Sequence, residues 1–137
     1  MSGSGTLLRA QRPRSAVVLV ADEALASAIV EVLRDLGWET WEVETFRAAR
    51  ETITHVNAGV FVVDPGLHVD LLEKFIQRLG DRESAPGVVV LSDLVSAATI
   101  ASEHDVVFVK EPLDLDDLAH AIEGARHTTG KRARVAR

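Results

Sequence analysis

Five short apolar runs, rich in valine, alternate along the chain with segments of helical period, and this alternation is the strongest constraint on the fold. Strand followed by helix, repeated five times, predicts βαβ units around a parallel sheet with helices on both faces. With right-handed crossovers, the expected fold is α/β and flavodoxin-like, with strand order 2-1-3-4-5. The strands are predicted at about 16–21, 39–44, 59–64, 88–92 and 106–109, and the helices at about 23–36, 46–56, 69–80, 94–103 and 114–125.

The second predicted strand differs from the others in its pattern. Its residues Glu39-Thr40-Trp41-Glu42-Val43-Glu44 mix charged and apolar side chains, whereas the first, third and fourth strands are almost continuously apolar. Strands in the middle of a parallel sheet are covered on both faces and therefore read as apolar runs. The second strand is accordingly predicted to lie at an edge of the sheet.

The length and the charge distribution predict one domain with two basic tails. A chain of 137 residues without cysteine can bury a sufficient core without disulfides. Residues 1–14 and 126–137 hold eight of the 15 bases and no acid, so all 21 acids and seven bases lie in residues 15–125. We expect a folded domain over 15–125, a disordered N-terminal tail over 1–14, and a disordered C-terminal tail or linker start over 126–137.

The same features exclude several classes of function. No apolar stretch reaches the roughly 18 residues of a membrane span, and the N-terminus lacks the apolar core of a signal peptide, so a cytoplasmic protein without membrane contact is expected. The acidic domain itself is not expected to bind nucleic acid, because such binding depends on clustered positive charge. The absence of cysteine excludes thiolate catalysis.

Polar side chains end three of the predicted strands. Asp22 follows the first strand, Asp64 ends the third and Ser92 ends the fourth. Ligands of open parallel sheets gather outside the carboxyl ends of the strands, so these three side chains are expected to meet at one edge. Two carboxylates and a hydroxyl there would suit a divalent cation and a phosphoryl group. Each residue taken alone is equally compatible with an ordinary turn or cap.

With these residues in this order, residues 15–125 resemble the receiver domains of the response regulators of bacterial two-component systems. The resemblance implies a phosphorelay role in which Asp64 accepts a phosphoryl group, assisted by Ser92 and Lys110. It further implies weak Mg²⁺ binding by Asp22, Asp64 and the backbone carbonyl of Gly66. Ser92 and Phe108 would be the switch residues that change the partner surface. The phosphoryl donor would be a histidine kinase, and the chain itself is not expected to be an enzyme.

The resemblance also implies a partner surface. The fourth helix, fifth strand and fifth helix would together form the face that contacts the kinase or another signalling protein. A homodimer through the same face is an alternative that the sequence leaves open.

Three departures from the receiver pattern weaken the expected chemistry. Ala21 stands where receivers carry the first of two acids, which removes a carboxylate from the metal shell. Counting back from Pro112 places Glu111 at the usual lysine position and Lys110 one residue early. Because successive side chains of a strand point to opposite faces, this offset of one residue could direct Lys110 away from the site. Asp93, next to Ser92, adds negative charge.

Two other functions therefore remain open. The chain could be a degenerate receiver that has kept the fold as an interaction module independent of phosphorylation. A small flavodoxin-like enzyme or flavin carrier is disfavoured, because the acidic loop that starts at Asp22 would repel a cofactor phosphate.

Overall fold

The computed structural model describes residues 14–82 and 85–135 and has five parallel strands in one sheet, in the order β2-β1-β3-β4-β5. The predicted flavodoxin-like fold and strand order are confirmed. The strands are β1 (Ser15–Leu19), β2 (Glu39–Val43), β3 (Val60–Val63), β4 (Gly87–Ser92) and β5 (Val107–Lys110). The helices are α1 (Glu23–Asp35), α2 (Phe46–Val56), α3 (Val69–Gly80), α4 (Val95–Glu103) and α5 (Leu115–Val135).

The helices cover the sheet in two layers, each built around its own apolar cluster. Helices α2, α3 and α4 pack on one face, where Phe61 of β3 is fully buried together with Leu72 and Ile53. Helices α1 and α5 pack on the other face, where Ile29 and Leu118 are fully buried. Side chains of each central strand alternate between the two clusters, as the pleat of a doubly covered sheet requires.

Burial distinguishes the central strands from the edge strands. Every residue of β1, β3 and β4 is buried, whereas every residue of β2 is exposed or half-buried. β2 pairs only with β1, from Ser15 opposite Glu39 to Leu19 opposite Val43. The prediction that the second strand lies at an edge is confirmed, and β5 forms the opposite edge.

Helix ends follow local capping chemistry. The hydroxyl of Thr45 accepts a hydrogen bond from Ala48 N at 3.0 Å and starts α2, which ends at Asn57 in the left-handed region with φ 53°. Asp114 Oδ1 accepts from Asp116 N at 2.8 Å and from Asp117 N at 3.2 Å, so Asp114 caps α5.

The last helix is longer than the sequence suggested. It continues from Leu115 to Val135, whereas the prediction ended it at 125 and placed a disordered tail over 126–137. The backbone of the described part of that segment is helical instead, so the predicted helix end at 125 is corrected. The predicted N-terminal tail, except Arg14, lies outside the described residues, as do the last two residues of the chain.

Candidate functional site

Asp64 lies directly after β3, at the carboxyl edge of the sheet. Its backbone N donates to Leu19 O of the neighbouring strand at 3.0 Å, which fixes the residue beside the end of β1. Its side chain is half-buried, and Oδ1 accepts a hydrogen bond from Gly66 N at 2.9 Å. Gly66 has φ 58°, a conformation that glycine adopts without strain, so the turn after Asp64 closes on the carboxylate.

Asp22 occupies the loop between β1 and α1 and is exposed. Its Oδ1 accepts a hydrogen bond from Leu25 N at 3.0 Å, which makes it the N-cap of α1. A carboxylate at a helix N-terminus is stabilised both by this bond and by the helix dipole. The residue predicted as a metal ligand therefore also has a structural role in starting the helix.

Ser92 ends β4 and is almost fully buried, with 2% of its surface exposed. Its Oγ accepts a hydrogen bond from Leu94 N at 3.0 Å, and its backbone O accepts one from Glu111 N at 3.0 Å. Asp93, which follows, is exposed. The hydroxyl predicted to contact a phosphoryl group is thus already engaged in the turn that leads into α4.

Glu111 faces Asp64. The pKa of Glu111 is raised to about 7, first by burial and then by a hydrogen bond to Asp64 and by the negative charge of Asp64, Asp93 and Asp22. A carboxyl beside a carboxylate holds a proton because two adjacent negative charges repel each other. Of the two residues that the sequence left open for the lysine position, the structure brings Glu111 to the site.

Lys110 lies in a groove beside α5. It is exposed at the end of β5 and lines a shallow groove of about 430 Å³ together with Phe108, Asp117 and His120, between the edge strand and α5. The structure thus places Lys110 in this groove beside α5, whereas the charges that act on the pKa of Glu111 are those of carboxylates. Phe108 is half-buried and packs against the cluster under α2, α3 and α4.

The strand-end carboxylates are of the chemical type that binds a hard cation. Oxygen ligands are what Mg²⁺ prefers. However, Asp22 and Asp64 are not gathered with a third ligand residue, and Ala21 offers no side-chain oxygen. Within residues 14–82 and 85–125, the ligand atoms of Glu73, Glu103 and His104 alone lie within 4.8 Å of one another, and these residues belong to α3 and the end of α4. Mg²⁺ usually binds through one or two carboxylates and keeps several waters, so binding by Asp22, Asp64 and the backbone carbonyl of Gly66 stays a prediction.

The structure resembles solved receiver domains. It superimposes on a CheY-like response regulator receiver domain protein from Methanospirillum hungatei JF-1 with a TM-score of 0.70 and 16% identity, covering 87% of this chain and 98% of that one. It superimposes on a signal receiver domain from Bermanella marisrubri with a TM-score of 0.71 and 19% identity, covering 82% and 98%. It superimposes on an orphan response regulator of H. pylori with a TM-score of 0.70 and 17% identity, covering 85% of this chain and 98% of that one.

The chain has the receiver-domain fold. No protein-family model and no curated protein matches the sequence, so the likeness is one of three-dimensional structure. Within this receiver fold, the carboxyl edge of the sheet carries Asp22, Asp64 and Asp93, whose negative charges all raise the pKa of Glu111. No helix of the described part of the chain is long and apolar enough to cross a membrane.

The sequence singled out Asp22, Asp64 and Ser92 correctly as neighbours of one edge, but it did not assign a role to Glu111. The signal that could have found it was the spacing to Pro112, which already put Glu111 at the lysine position. The chemistry of the resulting edge is acid-rich, and a proton can be held between two of its carboxyls.

Proposed function

We propose that this chain is a signalling module of the receiver fold that acts through protein contacts and does not depend on a phosphoryl group on Asp64. It is a binding module and not an enzyme. The observation that supports this most directly is the Glu111 carboxyl, hydrogen-bonded to Asp64 in the position where the resemblance leads one to expect a lysine.

The charge at the edge argues against stable phosphorylation. A phosphoryl group brings close to two negative charges at neutral pH. Two like charges about 4 Å apart repel by about 4 kcal/mol at the effective dielectric of a protein surface. With Glu111 ionised, a phosphoryl group on Asp64 would meet three neighbouring carboxylates, those of Asp22, Asp93 and Glu111.

A phosphoacceptor role for Asp64 is the second candidate function. It is supported by the half-buried position of Asp64, which leaves part of the side chain reachable, and by the placement of Ser92 at the end of the neighbouring strand. In this case a histidine kinase would supply the phosphoryl group. Mg²⁺ would be recruited mainly by Asp22 and Asp64, and protonation of Glu111 would lower the repulsion.

The partner surface is proposed to be the face formed by α4, β5 and α5. Val95 of α4 is 81% exposed and Leu115 of α5 is 47% exposed. The groove lined by Lys110, Asp117 and His120 lies on the same face. This face would bind a kinase, another signalling protein or a second copy of the chain.

A phosphorylation assay separates the two candidates. The protein is incubated with acetyl phosphate and excess Mg²⁺ and analysed by intact-mass spectrometry, and a parallel sample with beryllium fluoride is followed by amide chemical shifts. We expect no mass increase and no shift changes around Asp64. An 80 Da increase that is absent from Asp64→Asn would establish the phosphoacceptor function and overturn the interaction-only proposal.

The homodimer is tested independently by light scattering after size-exclusion chromatography. If two copies pair through the proposed face, the double variant Val95→Asp with Leu115→Asp should shift the mass to that of the monomer. A wild-type mass equal to the monomer at every concentration would contradict the homodimer and leave a different protein as the partner.

A further inference from the structure

A groove of about 960 Å³ separates α2 from α3 on the outer surface of the domain. We call it the arginine groove, defined by Arg47 and Arg50 of α2, Arg78 and Arg82 of α3 and its end, and the rings of Phe46 and Phe75. None of the strand-end residues Asp22, Asp64, Ser92 and Glu111 lines it. Its volume is at the upper end of the range of small-molecule binding sites.

The arginine groove is strongly basic in a chain whose net charge is -6. Glu51 is the one carboxylate among its lining residues. The Arg47 Nε to Glu51 Oε2 distance is 4.0 Å and both side chains are largely exposed, so this pair neutralises little of the charge. Within the described residues, no hydrogen bond or ion pair engages the guanidinium groups of Arg50 and Arg78. They are therefore available to an anion.

Two aromatic rings form the floor of the arginine groove at one of its ends. The ring centroids of Phe46 and Phe75 lie 5.3 Å apart, and Phe75 in turn packs on Phe61 of β3 at 5.2 Å. Phe75 is buried, whereas Phe46 is half-buried and keeps part of its ring accessible. A flat apolar group that packs on Phe46 would therefore meet a surface continuous with the core.

Both ends of the arginine groove are closed by contacts between its two walls. The Phe46–Phe75 pair joins the walls at one end, and Arg82 Nη2 donates to Thr54 Oγ1 at the other. Phe46 and Thr54 are eight residues apart in α2, which corresponds to about 12 Å of helix. A trough of that length accommodates a compact ligand better than a helix that runs through it.

We propose that the arginine groove binds an organic polyanion of the nucleotide class, with the base against Phe46 and the phosphates between the arginines of α2 and α3. Guanidinium groups bind phosphate through paired, charge-assisted hydrogen bonds and also stack on flat rings. Arg50 and Arg78 stand on opposite walls, so one bound phosphate chain would join α2 to α3. This proposal is independent of whether Asp64 accepts a phosphoryl group.

The test is calorimetric titration of the full chain with ATP, GTP and the dinucleotide pApA at low ionic strength. Tripolyphosphate and adenosine serve as the two partial ligands. At least one nucleotide should bind, more tightly than either partial ligand, and binding should weaken as salt is added. The double variant Arg50→Ala with Arg78→Ala should lower the affinity by about tenfold or more, because it removes two charged hydrogen-bond donors. Arg34→Ala, an exposed arginine of α1 on the opposite face, is the matched control and should leave affinity unchanged.

Amide chemical shifts locate the bound nucleotide. Changes confined to α2 and α3, around Phe46, Arg50, Thr54 and Arg78, would support the proposal. Changes confined to the basic segments 1–14 and 126–137 would overturn it. Tripolyphosphate binding as tightly as ATP, or no binding by any of the three nucleotides, would also overturn it. Phe46→Leu keeps an apolar side chain in the floor but removes the aromatic ring, so it should reduce the preference for ATP over tripolyphosphate. An unchanged preference would contradict the stacking of the base on Phe46.

Discussion

The Glu111 carboxyl is hydrogen-bonded to the Asp64 carboxylate at the carboxyl edge of the sheet. This pair places a proton where the resemblance to receiver domains implies a lysine ammonium group, and it makes the edge sensitive to pH in the neutral range. The pair also makes the site more negative whenever Glu111 ionises, because a carboxyl stands where a fixed positive charge is expected.

Stability should fall as pH rises through the neutral range. The pKa of Glu111 is about 7 in the folded protein, against an ordinary value of 4.5. The folded state therefore holds a proton that the unfolded state has released, and the stabilisation present below pH 4.5 is lost as pH rises towards and past 7. After allowance for solvent screening at this partly exposed position, we expect a loss of roughly 1–2 kcal/mol.

Urea denaturation at pH 5 and pH 8 measures this loss. Glu111→Gln keeps the shape of the side chain and removes its titration, so its unfolding free energy should change less between the two pH values than that of the wild type. Glu42→Gln, an exposed position on β2, is the control and should retain the wild-type pH dependence. An equal pH dependence in Glu111→Gln and wild type would show that another group is responsible.

Adding a second acid and a lysine at the edge should improve the binding of a phosphoryl mimic. Ala21→Asp with Glu111→Lys supplies the second acid and places a cation beside Asp64, so we expect beryllium fluoride to bind at least about tenfold more tightly in the presence of Mg²⁺. Amide chemical shifts around Asp64 and Ser92 provide the readout. Lys110→Ala should have no effect in the same background, because Lys110 lies in the groove beside α5. A loss of binding in Lys110→Ala would mean that Lys110 supplies the cation instead.

Asp22 should contribute to stability through the helix it starts. Asp22→Ala removes the hydrogen bond to Leu25 N and should cost about 1 kcal/mol in the free energy of unfolding. Asp22→Asn keeps a capping oxygen and removes the charge that opposes Glu111, so it should be at least as stable as the wild type. If Asp22→Ala proved more stable than wild type in urea denaturation, charge repulsion would outweigh the cap.

The fully buried Phe61 should contribute the most to the core between the sheet and α3. It packs on Phe75 with ring centroids 5.2 Å apart, and Phe61→Ala should lower the free energy of unfolding by about 3–5 kcal/mol. Leu67→Ala, at a position that is 85% exposed, should change it by less than about 0.5 kcal/mol. Chemical denaturation at constant pH compares the two, and similar effects would contradict the assigned packing.

The fold could be predicted from the sequence because hydrophobic periodicity and the residues that begin and end helices are local signals. The bounds of the second and third helices, 46–56 and 69–80, agree with those of α2 and α3, since Thr45 and the Gly80–Asp81 segment mark clear ends. The mixed pattern at 39–44 correctly placed β2 at the edge. The helical continuation after residue 125 was missed because its polar, basic composition resembles that of a tail.

The site was harder to predict than the fold. Alternation within β5 could not decide between Lys110 and Glu111, because Glu111 follows the last strand residue and its direction depends on the turn rather than on the pleat. The backbone bond from Glu111 N to Ser92 O, which fixes that turn, is a contact between distant parts of the chain. The arginine groove was missed for a similar reason: Arg47 and Arg50 are one helical turn apart, but which helix lies opposite them depends on the tertiary arrangement.

The local hydrogen bonds of Asp22, Asp64 and Ser92 give these side chains a structural role that does not depend on chemistry at the site. Each of these oxygens accepts a bond from a backbone amide two or three residues later, so each helps to shape the loop in which it lies. Correct folding is therefore a sufficient reason for these three side chains to be present, whether or not Asp64 accepts a phosphoryl group. Within the described residues, the side chains of Glu111 and Ala21 make no such bond to a backbone amide, so folding of the local loops constrains these two positions less.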